Sequence, residues 1–429
     1  MEFRKLGEFC TVKGGKRLPK GTQLQESKTN HPYLRIKDFN NGNIDINNLM
    51  YISEEVFNKI SNYTINKGNI FLSIVGTIGL VDVIEEELDK SSLTENAVKI
   101  YSNDEKQLST EFLSYYLKST MGQHEISIRT VGSTQPKLAI TRIKDINVPM
   151  IDIKKQYKIT WILSNIDKKI KLNRTIIANL EELSQTLFKR WFVDFEFPDE
   201  NGNPYKSSGG EMIDSELGEI PKKWNILTIN DFADDLIITG KTPSTKNKDN
   251  YSEKGIPFLT IPDMHTDVFS LNTIKYISEV GIEKVKNKII PENSLCVSCI
   301  ATPGLVSITS SETLTNQQIN SFTPKKNDLY YLYFYIKSMK KYIEDLGSGG
   351  SATLNLNKTQ FSKIKIIRPI NDLLKKFHKC VDSNFKIILT KQKENLKLQE
   401  LRNTLLPKLM SGEIEIPDDI EVNNDELSI

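Results

Sequence analysis

Apolar residues at Ile159, Leu163, Ile166, Ile170, Ile177, Leu180 and Leu187 recur in alternating steps of four and three, with polar Asn173 and Ser184 filling the two gaps in the seam. Held over four repeats, this spacing demands a long helix that buries one stripe along a partner helix, as in a coiled coil. No Pro or Gly lies between Asp152 and Val193, so nothing in the sequence interrupts it. At ~1.5 Å per residue, a helix of this length makes a rod of roughly 60 Å.

A second copy closes the chain. Asn179-Leu-Glu-Glu-Leu-Ser-Gln-Thr-Leu-Phe-Lys-Arg-Trp-Phe192 matches Lys397-Leu-Gln-Glu-Leu-Arg-Asn-Thr-Leu-Leu-Pro-Lys-Leu-Met410 at an offset of 218. The segments before the rods repeat as well. Tyr51-Ile-Ser53 returns as Tyr276-Ile-Ser278 and Gly79-Leu-Val81 as Gly304-Leu-Val306, both at 225. Thr94-Glu-Asn-Ala-Val98 aligns with Thr315-Asn-Gln-Gln-Ile319 at 221, and Val148-Pro149 with Arg368-Pro369 at 220. A slowly drifting offset over two copies indicates a tandem duplication rather than a solenoid.

The expected class is therefore α+β: two similar mixed α/β domains joined by two long helices in an antiparallel coiled coil with pseudo-twofold repeat. The first domain is expected over 1–151, the first rod over 152–192, a polar linker over 193–219, the second domain over 220–370, the second rod over 371–411 and an acidic tail over 412–429. The second rod has the weaker stripe. Phe377, Val381, Ile388, Leu398 and Leu405 alternate with Asn384, Lys391, Asn395 and Arg402, and Phe385 with Leu389 offers an alternative face. Within the first domain, one helix is expected from Ser109 to about Ser127.

Charge is unevenly distributed. The formal net charge is +2, but seven of the 55 acidic residues lie in 412–429 with no Lys or Arg, leaving the rest of the chain at +9. A moderately basic body permits nucleic-acid binding without demanding it. The apolar runs Ile70–Ile84 and Leu295–Ile308 are short, broken by Gly, Ser or Pro, and correspond to each other in the repeat, so they read as core strands rather than membrane spans. The opening Met-Glu-Phe-Arg-Lys-Leu-Gly has no signal or transit pattern, and four cysteines in a chain this long fit a reducing cytosol.

Catalytic motifs are missing. Cys296-Val-Ser-Cys299 has a metal-like spacing, but its repeat equivalents are Phe71 and Ile74, which marks the cysteines as core residues. Gly240-Lys-Thr242 ends like a phosphate-binding loop, yet Asp235 stands where the leading glycine belongs. Asn203-Pro-Tyr205 lacks the second proline of an amino-methyltransferase motif. The four histidines, His31, His124, His265 and His378, occupy no matched positions in the two copies, so general-base chemistry by histidine is not indicated.

What does recur is a pair of polar loops per domain. Lys13-Gly-Gly-Lys-Arg17 corresponds to Gly240-Lys-Thr-Pro-Ser244, and Gly132-Ser-Thr-Gln-Pro-Lys137 to Gly349-Gly-Ser-Ala-Thr-Leu-Asn355. They supply backbone N–H groups, cations, hydroxyls and amides. Those groups contact phosphates and base edges, and they also make ordinary turns.

The chain resembles the DNA-specificity subunit of type I restriction–modification systems. The residues that carry the resemblance are Leu187-Phe-Lys-Arg-Trp-Phe-Val-Asp-Phe-Glu-Phe-Pro198, Leu217-Gly-Glu-Ile-Pro-Lys-Lys-Trp224, Gly240-Lys-Thr-Pro-Ser244, Pro257-Phe-Leu-Thr-Ile261 and Leu405-Leu-Pro-Lys-Leu-Met-Ser-Gly-Glu-Ile414. The first copy departs from the pattern, with Lys16-Arg-Leu-Pro19 in place of Thr-Pro-Ser. The resemblance implies two target-recognition domains that each read one half of a bipartite site in double-stranded DNA. The rods act as a ruler for the spacer and dock DNA methyltransferase subunits. This chain is then non-catalytic and binds no cofactor of its own. S-adenosylmethionine, ATP and Mg2+ belong to the methyltransferase and restriction/translocase partners, in a prokaryotic, cytoplasmic setting with no membrane role.

Residues implied to contact DNA are Lys13, Lys16, Arg17, Arg35, Lys37, Arg129, Ser133, Thr134, Gln135 and Lys137 in the first domain. In the second they are Lys241, Thr242, Ser244, Lys246, Ser348, Ser351, Thr353 and Asn355. Trp191, Phe192, Phe195 and Leu409 are implied to dock a partner. Two other readings are a specificity chain for a single-polypeptide restriction–methylation enzyme or an antagonist paralogue, and a duplicated coiled-coil scaffold that binds no DNA.

Overall fold

The computed structural model describes residues 2–40, 42–132, 134–265, 267–348 and 355–417. The first long helix runs Ile153–Phe188 and the second Asn371–Ser411. The heptad stripe is the buried face: Ile159, Leu163, Ile166 and Ile170 are buried, and so are the polar seam positions Asn173 and Ser184. The first helix then gives way to a π-turn at Lys189–Val193, a break that no Pro or Gly announces. The second continues through Pro407.

The chain divides into two compact units, Met1–Lys169 with Gln399–Ile429, and Ile170–Leu398. Each unit contains part of each long helix, and within each the two parts run antiparallel. In the first, Asp167 pairs with Arg402, while Lys158 Nζ donates to the Pro417 carbonyl. In the second, Asn173 meets Asn395 and Ser184 meets Asn384. On the second helix the buried stripe of that unit passes through Phe377, Val381, Phe385, Ile388, Gln392 and Asn395. It keeps Phe377, Val381, Ile388 and Asn395 of the expected stripe, but Phe385 and Gln392 take the buried places expected for Asn384 and Lys391, and Leu389 of the alternative face is only half-buried. Phe385 stacks on Tyr330 at 4.0 Å, so globular packing decides this choice where heptad spacing leaves it open.

In the first unit, strands Cys10–Gly14, Ala97–Ser102, Ile70–Ser73 and Val81–Val83 form an antiparallel sheet in that order. A smaller sheet joins Tyr33–Leu34, Ser91–Leu93 and Thr64–Ile65. In the second unit, the order is Ile238–Thr239, Ile319–Phe322, Leu295–Ser298, Val306–Thr309 and Phe269–Ser270, the last parallel to its neighbour. The expected helix from Ser109 is two helices, Thr110–Lys118 and Thr120–Arg129. Ser119 is extended between them, and its hydroxyl caps the second by accepting from the Gly122 N–H, as N-cap serines do.

Strand pairing corrects two registers of the internal repeat. Arg4 lies opposite Val148 and Leu227 opposite Ile366, while Leu6 N–H donates to the Ile146 carbonyl and Ile229 N–H to the Ile364 carbonyl, so Val148 is equivalent to Ile366 rather than to Arg368. Ala97 lies opposite Ser73, and Ile319 opposite Ser298. Ser73 and Ser298 are 225 apart, whereas Ala97 and Ile319 are 222 apart. Thr94 is therefore equivalent to Asn316, and Glu95 to Gln317, one residue off the sequence match. Asn316 also replaces Thr94 in its hydrogen bonding. Its Oδ1 accepts from the Gln318 N–H, as Thr94 Oγ1 accepts from the Asn96 N–H.

The stretch expected to be a linker is built onto the second unit. Phe197 stacks between Tyr205 and Trp224 at 4.5 and 5.3 Å, and Met212–Ser215 forms a hairpin with Gly218–Pro221. Its aromatic content outweighs its polar composition.

Candidate nucleic-acid interface

Each unit gathers loops from distant sequence at one end of the strands of its main sheet. In the first, Lys16 N–H donates to the Leu93 carbonyl at 2.8 Å, drawing the Lys13–Arg17 loop onto 93–96. The approach requires glycine, since a Cβ on Gly15 would lie 2.1 Å from the Thr94 carbonyl oxygen. Ile74 N–H donates to the Asn96 carbonyl, and Leu138 N–H to the Ile74 carbonyl at 3.0 Å, which adds the 74–79 and 130–137 loops. The second unit repeats each of these bonds. Lys241 N–H reaches the Thr315 carbonyl, Cys299 N–H the Gln318 carbonyl, and Leu356 N–H the Cys299 carbonyl. The turn between them is duplicated as well. Ser73 and Ser298 donate to the carbonyls of Thr77 and Thr302 and accept from the N–H groups of Leu80 and Leu305.

The implied contact residues divide by environment. Lys13, Lys16, Arg17 and Lys37 are exposed, as are Thr134, Gln135 and Lys137 around the tip of the second loop. Lys16 Nζ is 5.4 Å from the Tyr63 ring centroid. Burial, assisted by the charge of Lys13, pulls the neighbouring Lys99 ammonium below its ordinary range. Arg35 has a structural partner: its Nη2 is 2.5 Å from Oδ1 of Asp38, a carboxylate 1% exposed. Arg129 is likewise engaged by Glu125 at 2.9 Å, and Glu125 accepts from the Asn147 N–H.

In the second unit Lys241 and Ser244 are exposed, with Lys246 beside them. Thr242 Oγ1 donates to Gln317 Oε1 at 2.6 Å, and Ser348 Oγ donates to the Asp345 carbonyl. Asn355 bridges to Ile300 as Lys137 bridges to Val75, so these two residues are equivalent. Ser133, Ser351 and Thr353 lie outside the described residues. Sequence reasoning missed Glu95 and Gln317, the partners of Arg17 and Thr242. The repeat pointed to their segment, but in a register one residue off.

Trp191, Phe192 and Phe195 are buried in the second unit's own core, and Leu409 in the first's. Phe192 packs on Tyr331 at 4.7 Å and Phe377 at 5.0 Å. In this structure their side chains close the globular cores over the helix ends and present little surface to a partner. Among the described residues, no group of three or more His, Cys, Asp or Glu could hold a metal ion. Among them too, no helix is long and apolar enough to cross a membrane.

Comparison with known proteins finds the same duplication. The model of the type I restriction modification DNA specificity domain matches twice, over residues 1–182 and 221–399. The chain belongs to this family.

Like the internal repeat, each match in this specificity-family chain takes one globular segment and most of the rod that follows it. The chain is 35% identical over 404 residues to the type I restriction enzyme HindI specificity subunit of Haemophilus influenzae, covering 82% of this chain and 87% of that protein. It is 25% identical to the MjaIX specificity subunit of Methanocaldococcus jannaschii, covering 97% and 98%. The fold is that of the type I restriction–modification S subunit of M. genitalium, with a TM-score of 0.56 at 16% identity over 95% of both chains.

Proposed function

We propose that this chain selects the DNA sequence on which a type I restriction–modification complex acts. Each unit reads one half of a bipartite duplex site through its gathered loops. The long helices set the unread spacer and form the seat for DNA methyltransferase subunits. Those subunits use S-adenosylmethionine, and a restriction/translocase subunit uses ATP and Mg2+, so the chemistry lies outside this chain.

The observation that carries this reading is the duplicated loop frame. Two units hold the same backbone bonds and mount different exposed polar side chains on them, as two readers of different half-sites require. Lys13, Lys16, Lys37, Lys241 and Lys246 hold phosphates and position the duplex, while amides and guanidinium groups at the loop tips read base edges. One added helical turn lengthens a rod by ~5.4 Å, and with one duplex charge per ~1.7 Å the spacer changes by only one or two base pairs.

The test is a base-resolution methylation map of cells that express the methyltransferase partner with and without this chain. A split, asymmetric methylated motif present only with the chain is expected. Identical maps, with the partner folded and expressed, would refute the proposal.

A further inference from the structure

The duplication makes the chain its own comparison, because one backbone frame carries two sets of side chains. Gly15 N–H donates to the Ala97 carbonyl and Gly240 N–H to the Ile319 carbonyl, both at 3.1 Å. On this shared frame, residue 17 meets residue 95 and residue 242 meets residue 317. Arg17 Nε donates to Glu95 Oε1 at 2.7 Å, whereas Thr242 Oγ1 donates to Gln317 Oε1 at 2.6 Å. An ion pair in one unit is replaced by a neutral hydroxyl–amide pair in the other, with the frame unchanged.

Packing does not require either pair. The Arg17 side chain is 82% exposed, Gln317 is exposed, and exposed ion pairs add little stability. What differs is the hydrogen-bonding face turned outward. Arg17 spends Nε on Glu95, and no hydrogen bond among the described residues engages its two Nη groups. They form a donor fork that matches guanine O6 and N7. Gln317 keeps its Nε2 donor and one Oε1 lone pair, a face that matches adenine N7 and N6. Glu95 is itself steadied by the hydroxyl of Thr94, which donates to its Oε2 at 3.1 Å, and this makes it a positioning residue for the guanidinium.

We infer that Arg17–Glu95 and Thr242–Gln317 are the equivalent base-selecting pairs of the two units, the first selecting a guanine and the second an adenine. The assignment rests on the reading of the chain as a bipartite DNA reader, and deepens it by naming the discriminating side chains.

The test exchanges the pairs in the full chain, co-expressed with its methyltransferase partner, and maps the methylated motif. One variant carries Arg17→Thr with Glu95→Gln, the other Thr242→Arg with Gln317→Glu. Each exchange is expected to change one base position in one half-site, with the original preference there falling about tenfold or more, and to leave the other half intact. A wild-type motif in both variants overturns the inference and leaves the functional reading standing. Absence of any chain-dependent motif in the wild type overturns that reading itself. Where an exchange abolishes methylation, Arg17→Lys and Gln317→Asn decide. Relaxed discrimination at one position supports the assignment, and an unchanged motif overturns it.

Discussion

Asn173 donates through Nδ2 to Oδ1 of Asn395 at 3.0 Å, and both side chains are buried between the two long helices of the second unit. Eleven residues further along the first helix, Asn384 donates to Ser184 at 3.0 Å. The polar breaks in one apolar seam thus meet polar breaks in the other. A slip by one heptad in one direction would set Asn173 against Ile388 and Ser184 against Phe377, and in the other would set Asn395 against Leu180, so the pairs specify alignment at some cost in stability. Substituting Asn173→Leu alone strands Asn395 and is expected to cost about 1–3 kcal/mol. Adding Asn395→Leu should recover most of that loss. Denaturation of the wild type, both single variants and the double variant measures the coupling, and additive losses would show that the pair does not act as a unit.

Arg35 and Lys16 should behave oppositely. Arg35→Ala leaves the buried Asp38 carboxylate without its guanidinium and is expected to cost about 3–5 kcal/mol of stability, lowering the melting temperature. Lys16→Ala should leave melting unchanged, weaken binding to every duplex alike and reduce the slope of log affinity against log salt by about one. Thermal melts together with salt titrations of duplex binding separate the two roles. Sequence-selective weakening by Lys16→Ala would remove it from the phosphate contacts.

Arg368 and Asp328 form the comparable buried pair of the second unit, at 2.6 Å with side chains 17% and 4% exposed. Asp328→Ala should destabilise that unit by about 3–5 kcal/mol. Hydrogen exchange across 329–338 and 365–368 reads the loss locally, and unchanged protection there would contradict it.

Glu111 supplies a pH dependence. Burial pushes its carboxyl up to about 7, with Asp167 and Glu105 reinforcing the rise and Lys168 opposing it. A carboxyl raised on folding binds its proton more tightly in the folded state. The first unit is therefore expected to lose stability as pH rises from the ordinary glutamate range through about 7, by an amount on the order of 1–3 kcal/mol given its partial exposure. Glu111→Gln should flatten that part of the stability–pH curve. Parallel curves for variant and wild type would assign the dependence elsewhere.

At Gly15 and Gly240 the loop and the 93–96 or 315–318 segment approach too closely for any side chain, with a Cβ 2.1 and 2.2 Å from carbonyl oxygens. Alanine at either position should cost about 1–3 kcal/mol through backbone displacement and weaken recognition of one half-site only. Binding to duplexes carrying single half-sites tests this. Equal loss at both half-sites would count against independent loop frames.

Periodicity and duplication are local properties of the sequence, and they determined much about this protein. Steps of four and three placed the buried stripe from Ile159 onward because helix geometry alone brings those positions to one face. Matching loops in the two copies directed attention to Lys13–Arg17 and Gly240–Ser244 because related chains fold alike. Tertiary structure decided what depends on contacts between distant residues. Asn173 finds Asn395 across 222 residues and Arg17 finds Glu95 across 78. The first helix ends in a π-turn where Phe188 and Phe192 pack into an aromatic core, and Trp191, Phe192 and Phe195 serve that core. Arg35 and Arg129 are held by carboxylates nearby in sequence, but only burial makes those bonds structural. Exposed cations and internally paired cations look alike in sequence, because the difference between them is the surrounding surface that folding removes from water.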